Sequence, residues 1–133
     1  EGVSKLALVG YSYGAFVITE LLSRRGPELQ KAAKPLTAAS LVAVPLDFVV
    51  PYEEGPTPPS AALRGLGEAG LGLTLVAGTE DSFCPEAGLR EWHGKLGDAA
   101  ALYVVPGADH FFRRPQGSLQ IAAEAAADGV VAE

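Results

Sequence analysis

The chain has 133 residues, 48% of them hydrophobic, 20% charged and 8% aromatic, which excludes a disordered tail, a coiled coil or a fibre and fits one globular domain over residues 1–133. Lys and Arg number 10 against 16 Asp and Glu, a net charge of -6 with no basic cluster, and this argues against nucleic acid or an anionic membrane surface as a partner. The single cysteine, Cys84, has no second thiol for a disulfide or a metal site and fits a reducing, cytoplasmic setting.

Lys5 to Gly10 is a short apolar run ending in glycine, the pattern of a strand buried on both faces. From Ala15 an apolar stripe of Phe16, Val17, Ile18, Leu21 and Leu22 predicts a helix ending at Arg24-Arg25-Gly26-Pro27, with cations, then Gly, then Pro. Ala39 to Val44 predicts a second strand closed by Pro45. The segment from Pro45 to Pro59 holds five prolines and reads as loop lying over the end of the sheet. A short helix from Ala61 to Glu68, a strand from Leu71 to Ala77, a helix from Pro85 to Leu96, a strand from Ala101 to Val105 and a helix from Ser118 to about Ala127 complete the chain. Strands that are nearly all apolar, alternating with helices, predict an α/β layered fold with a parallel sheet and flanking helices. The apolar runs fall far short of the ~20 residues that span a bilayer. The sequence starts at Glu1 without a Met or a leader pattern, so it is expected to be a piece of a longer product.

Gly10-Tyr-Ser-Tyr-Gly14 lies between the first strand and the first helix and matches the G-x-S-x-G pattern of a nucleophile elbow. Such a turn strains the backbone of Ser12, and the flanking glycines are expected because side chains there would collide with the strand and helix. A structural turn with a solvent-facing serine is the alternative. Ser12 needs an imidazole to take its proton. His93 lies mid-helix beside Trp92, whereas His110 lies just past the carboxyl end of a predicted strand, where sites gather in α/β sheets. The loop Gly78-Thr-Glu-Asp-Ser-Phe-Cys-Pro85 follows another strand and offers Asp81, with Glu80 as second choice, to orient that imidazole. Asp109 is expected to cap its own turn. No metal site is implied by two distant histidines, and no dinucleotide or phosphate fingerprint is present, so no cofactor is expected.

The order Ser12, Asp81, His110, with Gly10-Tyr-Ser-Tyr-Gly-Ala15, Gly78-Thr-Glu-Asp81 and Gly107-Ala-Asp-His-Phe-Phe112, resembles the carboxyl-terminal half of an α/β-hydrolase, and is similar to small lidless hydrolases near the dienelactone hydrolase group. Dienelactone hydrolases themselves carry Cys at the elbow where this chain has Ser12. The resemblance implies a partial α/β-hydrolase fold of about four strands, from a sheet of about eight with the nucleophile after the fifth. It implies a serine hydrolase of small or medium esters or related acyl compounds, with the Tyr13 N–H as one oxyanion donor and the second donor on a loop outside the chain. A hydrolase-like fragment or interaction module without activity is the other expectation. Without the preceding strands, Leu6 to Val9 would form an exposed edge open to self-association.

Overall fold

The computed structural model describes residues 2–131. Four parallel strands form one sheet, β1 (Leu6–Tyr11), β2 (Leu36–Val42), β3 (Gly72–Gly78) and β4 (Ala100–Val105), and their spatial order is their chain order. The helices are α1 (Tyr13–Gln30), α2 (Leu46–Glu53), α3 (Pro59–Glu68), α4 (Glu86–Leu96) and α5 (Ser118–Val131). This is the expected α/β class, a four-stranded parallel sheet with helices on both faces.

The period of two along each strand divides the core. Ala39 and Leu41 of β2 and Leu73, Leu75 and Ala77 of β3 point to the face covered by α1, α3 and α4, where Leu22, Leu63, Leu89, Trp92 and Leu96 pack against them. Val42, Val76 and Val105 point the other way, under Ala122 and Ala126 of α5. Ser40 shares that second face and donates its hydroxyl to the Ala126 carbonyl at 2.8 Å, so burial leaves it satisfied. Parallel pairing brings all four carboxyl ends to one edge. The loops there are stitched by backbone bonds from Ser12 N–H to Val42 C=O, Ala43 N–H to Val76 C=O and Thr79 N–H to Val105 C=O, at 2.8, 2.7 and 3.1 Å.

Three expectations change in the folded chain. Helix α1 does not stop at Gly26-Pro27 but runs to Gln30. Proline inside a helix costs about 3 kcal/mol. Tertiary contacts offset it: Gly26 sits so close to the Leu66 side chain that a Cβ would collide, and Gln30 Nε2 donates to the Leu66 carbonyl at 3.1 Å. Strand β2 starts at Leu36 and ends at Val42, because Ala43 turns to φ 53 and leaves the ladder. The segment expected as loop contains α2, with Asp47 in its first turn, where the helix dipole favours it, and Leu46 and Val49 buried in the core. Strand β1 is the exposed edge expected of Leu6 to Val9 without further strands beside it, and so is not buried on both faces as its apolar run alone suggests. Leu6 is 47% and Val9 54% exposed because β1 pairs on one side alone, with β2, and beside it lies an apolar groove of about 340 Å³ against Phe112, Leu119 and Ala126. No helix among the described residues is long and apolar enough to cross a membrane.

Candidate active site

Ser12 occupies the single step between β1 and α1, at φ 57 and ψ -120, a backbone region that L-residues rarely adopt and that persists where the surroundings hold it. The hold is visible on both sides: its N–H donates to Val42 C=O at 2.8 Å, and its own C=O accepts from Ala15 N–H at 2.9 Å. A Cβ at Gly10 would come within 2.6 Å of Ile18 Cδ1 and 2.7 Å of the Gly14 carbonyl, so a side chain there is excluded. Gly14 is different. A Cβ on it would meet nothing within 4 Å beyond its own helix backbone, so the expected collision is absent at the second glycine, whose face points away from the strand. The turn aims Ser12 Oγ outward at the carboxyl edge of the sheet, and Tyr13, first residue of α1, has an N–H with no acceptor inside its helix.

The three chemistry-bearing segments meet above this edge. Ser12 Oγ lies 2.7 Å from His110 Nε2, and His110 Nδ1 lies 2.8 Å from Asp81 Oδ2. Asp81 is 2% and His110 7% exposed. The second carboxylate oxygen, Oδ1, accepts from the backbone N–H of Phe83 at 2.8 Å and of Cys84 at 3.0 Å. Both oxygens are thereby fixed, and the carboxylate fixes the ring. Nδ1 facing Asp81 leaves Nε2 to accept the serine proton. The loops themselves are locked together. Thr79 Oγ1 accepts from Gly107 N–H at 2.7 Å, Glu80 N–H donates to the Ala108 carbonyl at 2.9 Å, and a Cβ at Gly78 would strike the Ala108 backbone. Tyr11 adds a further tie, its hydroxyl donating to the His110 carbonyl at 2.9 Å while its ring stacks on the imidazole at 5.7 Å. Burial, then the charges of Asp81 and Asp109, raise the Tyr11 pKa, so the hydroxyl keeps its proton as donor.

Around Ser12 and His110 lies an open cavity of about 520 Å³, within the range of small-molecule sites. Its walls are Tyr13, Phe48, Phe83 and Phe111, with Pro45 and Asp47 at the rim.

Comparison with solved structures places this architecture. A predicted CIB-like hydrolase from Thermoplasma acidophilum superposes with a TM-score of 0.61 at 17% identity, over 92% of this chain and 51% of that one. An α/β serine hydrolase homologue from Coxiella burnetii gives 0.60 at 18% over 93% and 49%, and a lidless α/β serine hydrolase from Xanthomonas campestris gives 0.57 at 20% over 96% and 47%. The chain has the α/β-hydrolase fold. It spans about half the length of these neighbours. No family model and no curated protein sequence matches the chain.

On this α/β-hydrolase fold, Ser12, Asp81 and His110 come together, and the remaining candidates do not join them. Glu80 is exposed. Asp109 Oδ1 caps its own turn, accepting from the N–H groups of Phe111 and Arg113 at 3.1 Å each, and these backbone bonds, that of Arg113 first, lower its pKa. His93 stays on α4, its Nε2 2.8 Å from the Ala100 carbonyl. Cys84 is fully buried. Burial, reinforced by Asp81, pushes its thiol up to about 12, so it is a packing residue without thiolate character. No group of three or more His, Cys, Asp and Glu is arranged to hold a metal among the described residues. Sequence reasoning missed the Tyr11 tether and the aromatic walls. Phe83 and Phe111 were findable as neighbours of Asp81 and His110 in their loops. Phe48 had no such signal, since its segment carried the marks of a loop.

Proposed function

We propose that this chain is the nucleophile-bearing part of a serine hydrolase that cleaves small or medium esters, or related acyl compounds, through an acyl-enzyme on Ser12. The observation that carries this reading is the unbroken hydrogen-bonded chain from Ser12 Oγ through His110 to Asp81, buried at its carboxylate end and open to the cavity at its serine end. In the first half-reaction Ser12 Oγ bonds to the substrate carbonyl carbon as its proton passes to His110 Nε2. The oxyanion faces the Tyr13 N–H and the positive end of α1. The bond to the alcohol oxygen then breaks, and that oxygen leaves with the proton from Nε2. Water repeats the sequence on the acyl-enzyme, giving up a proton to His110 and releasing the carboxylic acid and free Ser12.

Asp81, fixed by its bonds to the Phe83 and Cys84 N–H groups, holds the imidazolium against reorientation. That the structural neighbours are hydrolases and serine hydrolases supports the reaction class. Tyr13 supplies one oxyanion donor, and losing one of two such donors costs about 100- to 1000-fold in rate. A reducing, cytoplasmic setting accompanies the proposal, on the strength of an unpaired, buried Cys84.

A fluorophosphonate probe tests it. Labelling of the full chain that disappears in Ser12→Ala and falls at least tenfold in His110→Ala is the expected result. Labelling that persists in Ser12→Ala, or none at all on folded protein, would overturn the proposal and favour a non-catalytic interaction module.

A further inference from the structure

We infer that the cavity selects esters with an uncharged, apolar acyl group and rejects acyl groups that end in a carboxylate. The inference rests on the acyl-transfer reading above. In that reaction the leaving oxygen must lie beside His110 Nε2, which protonates it. The rings around His110, Phe83 at 4.7 Å and Phe111 at 5.2 Å between centroids, therefore border the alcohol. The acyl chain is then left the other two rings of the lining, Tyr13 and Phe48, which stand edge to face at 6.0 Å.

That acyl wall is built rather than loosely draped. Both of its rings also pack on Phe16, at 5.7 Å for Tyr13 and 5.5 Å for Phe48, and the start of α2 is pinned by the bond from Leu46 N–H to Phe83 C=O at 3.1 Å. Yet Tyr13 remains 60% and Phe48 48% exposed, so each keeps apolar surface that an acyl group can cover. Next to Phe48 stands Asp47, the one carboxylate among the described lining residues. An acyl carboxylate entering there loses water against aromatic faces and meets a like charge, and both effects oppose binding. No described lining residue is Lys or Arg to compensate. Arg113 is outside the lining and lies over the Phe111 ring at 4.6 Å.

The test compares p-nitrophenyl acetate, butyrate, phenylacetate and monosuccinate on the full chain at one ionic strength, alongside fluorophosphonate labelling of the same sample. Butyrate and monosuccinate present acyl chains of similar length that differ at the end group. Butyrate should exceed monosuccinate in kcat/KM by at least about tenfold, and phenylacetate should exceed acetate by a similar factor. Asp47→Asn should narrow the butyrate to monosuccinate ratio about threefold or more, and Phe48→Ala should narrow the phenylacetate to acetate ratio. Ratios within one sample are immune to partial loss of folded protein. Labelled Ser12 with both wild-type ratios near one would overturn the pocket inference while the acyl-transfer reading stands. Labelled Ser12 with a butyrate to monosuccinate ratio that Asp47→Asn does not move would overturn the role of Asp47. Absence of labelling would overturn the inference and the reading together.

Discussion

Removing the Glu53 carboxylate should cost about 3 kcal/mol of stability, because one side chain holds three helices together. Glu53 sits at the end of α2. Its Oε2 accepts from Ser60 N–H at 2.7 Å and Trp92 Nε1–H at 3.0 Å, and its Oε1 accepts from Ser60 Oγ at 2.5 Å, which joins α2 to α3 and α4. The donors are nearly dry, Ser60 being 5% and Trp92 4% exposed. A hydrogen bond to a charged group contributes about 1.5–3 kcal/mol, and a buried donor left without a partner costs about 1–3. Glu53 itself is half-buried, so water reaching the vacated site recovers part of that loss. With an unfolding entropy of about 2.1 cal/mol/K per residue, a chain of this length loses roughly 10 °C in Tm for 3 kcal/mol. Glu53→Ala should show that drop and Glu53→Gln about half of it, since an amide keeps one acceptor and turns a donor toward the other partner. The single tryptophan of the sequence is the donor in question, so its emission reports the same site during urea or thermal unfolding. A Tm within about 3 °C of wild type for Glu53→Ala would refute the assignment of Glu53 as the clasp.

Tyr11→Phe keeps the ring on His110 but removes the bond to its carbonyl; kcat for p-nitrophenyl butyrate should fall about three- to tenfold with KM little changed, as for loss of roughly 1 kcal/mol of positioning, and an equal rise in KM would assign Tyr11 to substrate binding instead. The Cys84 thiol, pushed by burial from its ordinary value of 9.0 up to about 12 in the fold, holds its proton more tightly folded than unfolded. Stability is therefore intact below pH 9 and declines as pH rises from about 9 toward 12, by up to about 1.4 kcal/mol per pH unit. Urea unfolding in reductant at pH 8 and 10.5 should show a larger alkaline loss for wild type than for Cys84→Ala, and equal losses would contradict it. Val9→Lys on the exposed edge strand β1 should weaken any concentration-dependent self-association in size-exclusion chromatography, and unchanged elution of a wild-type oligomer would place its contact elsewhere.

The sequence by itself determined the alternation of strands and helices, the parallel sheet and the segments that carry Ser12, Asp81 and His110. Those features are local: apolar runs of strand length, a glycine-bounded turn between a strand and a helix, and polar residues just past strand ends all act within a few residues. His110 was separable from His93 by its position just past a strand end, whereas Asp81 and Glu80, adjacent in one loop beyond β3, were told apart only when the loop's fold buried Asp81 beside His110 and left Glu80 exposed.

Tertiary structure decided what depends on partners distant in sequence. Gly26-Pro27 carries a stop signal, yet α1 continues because Leu66 packs on Gly26 and its carbonyl accepts from Gln30, contacts that outweigh the local preference. The proline-rich segment after β2 becomes helix α2 because Leu46 and Val49 find the core and Glu53 finds Ser60 and Trp92. Whether an apolar strand is buried depends on having a neighbour at each edge, and β1 has one. The acyl wall of Tyr13 and Phe48 likewise exists only once α2 folds back over α1 and stacks both rings on Phe16, a long-range juxtaposition that no local pattern encodes.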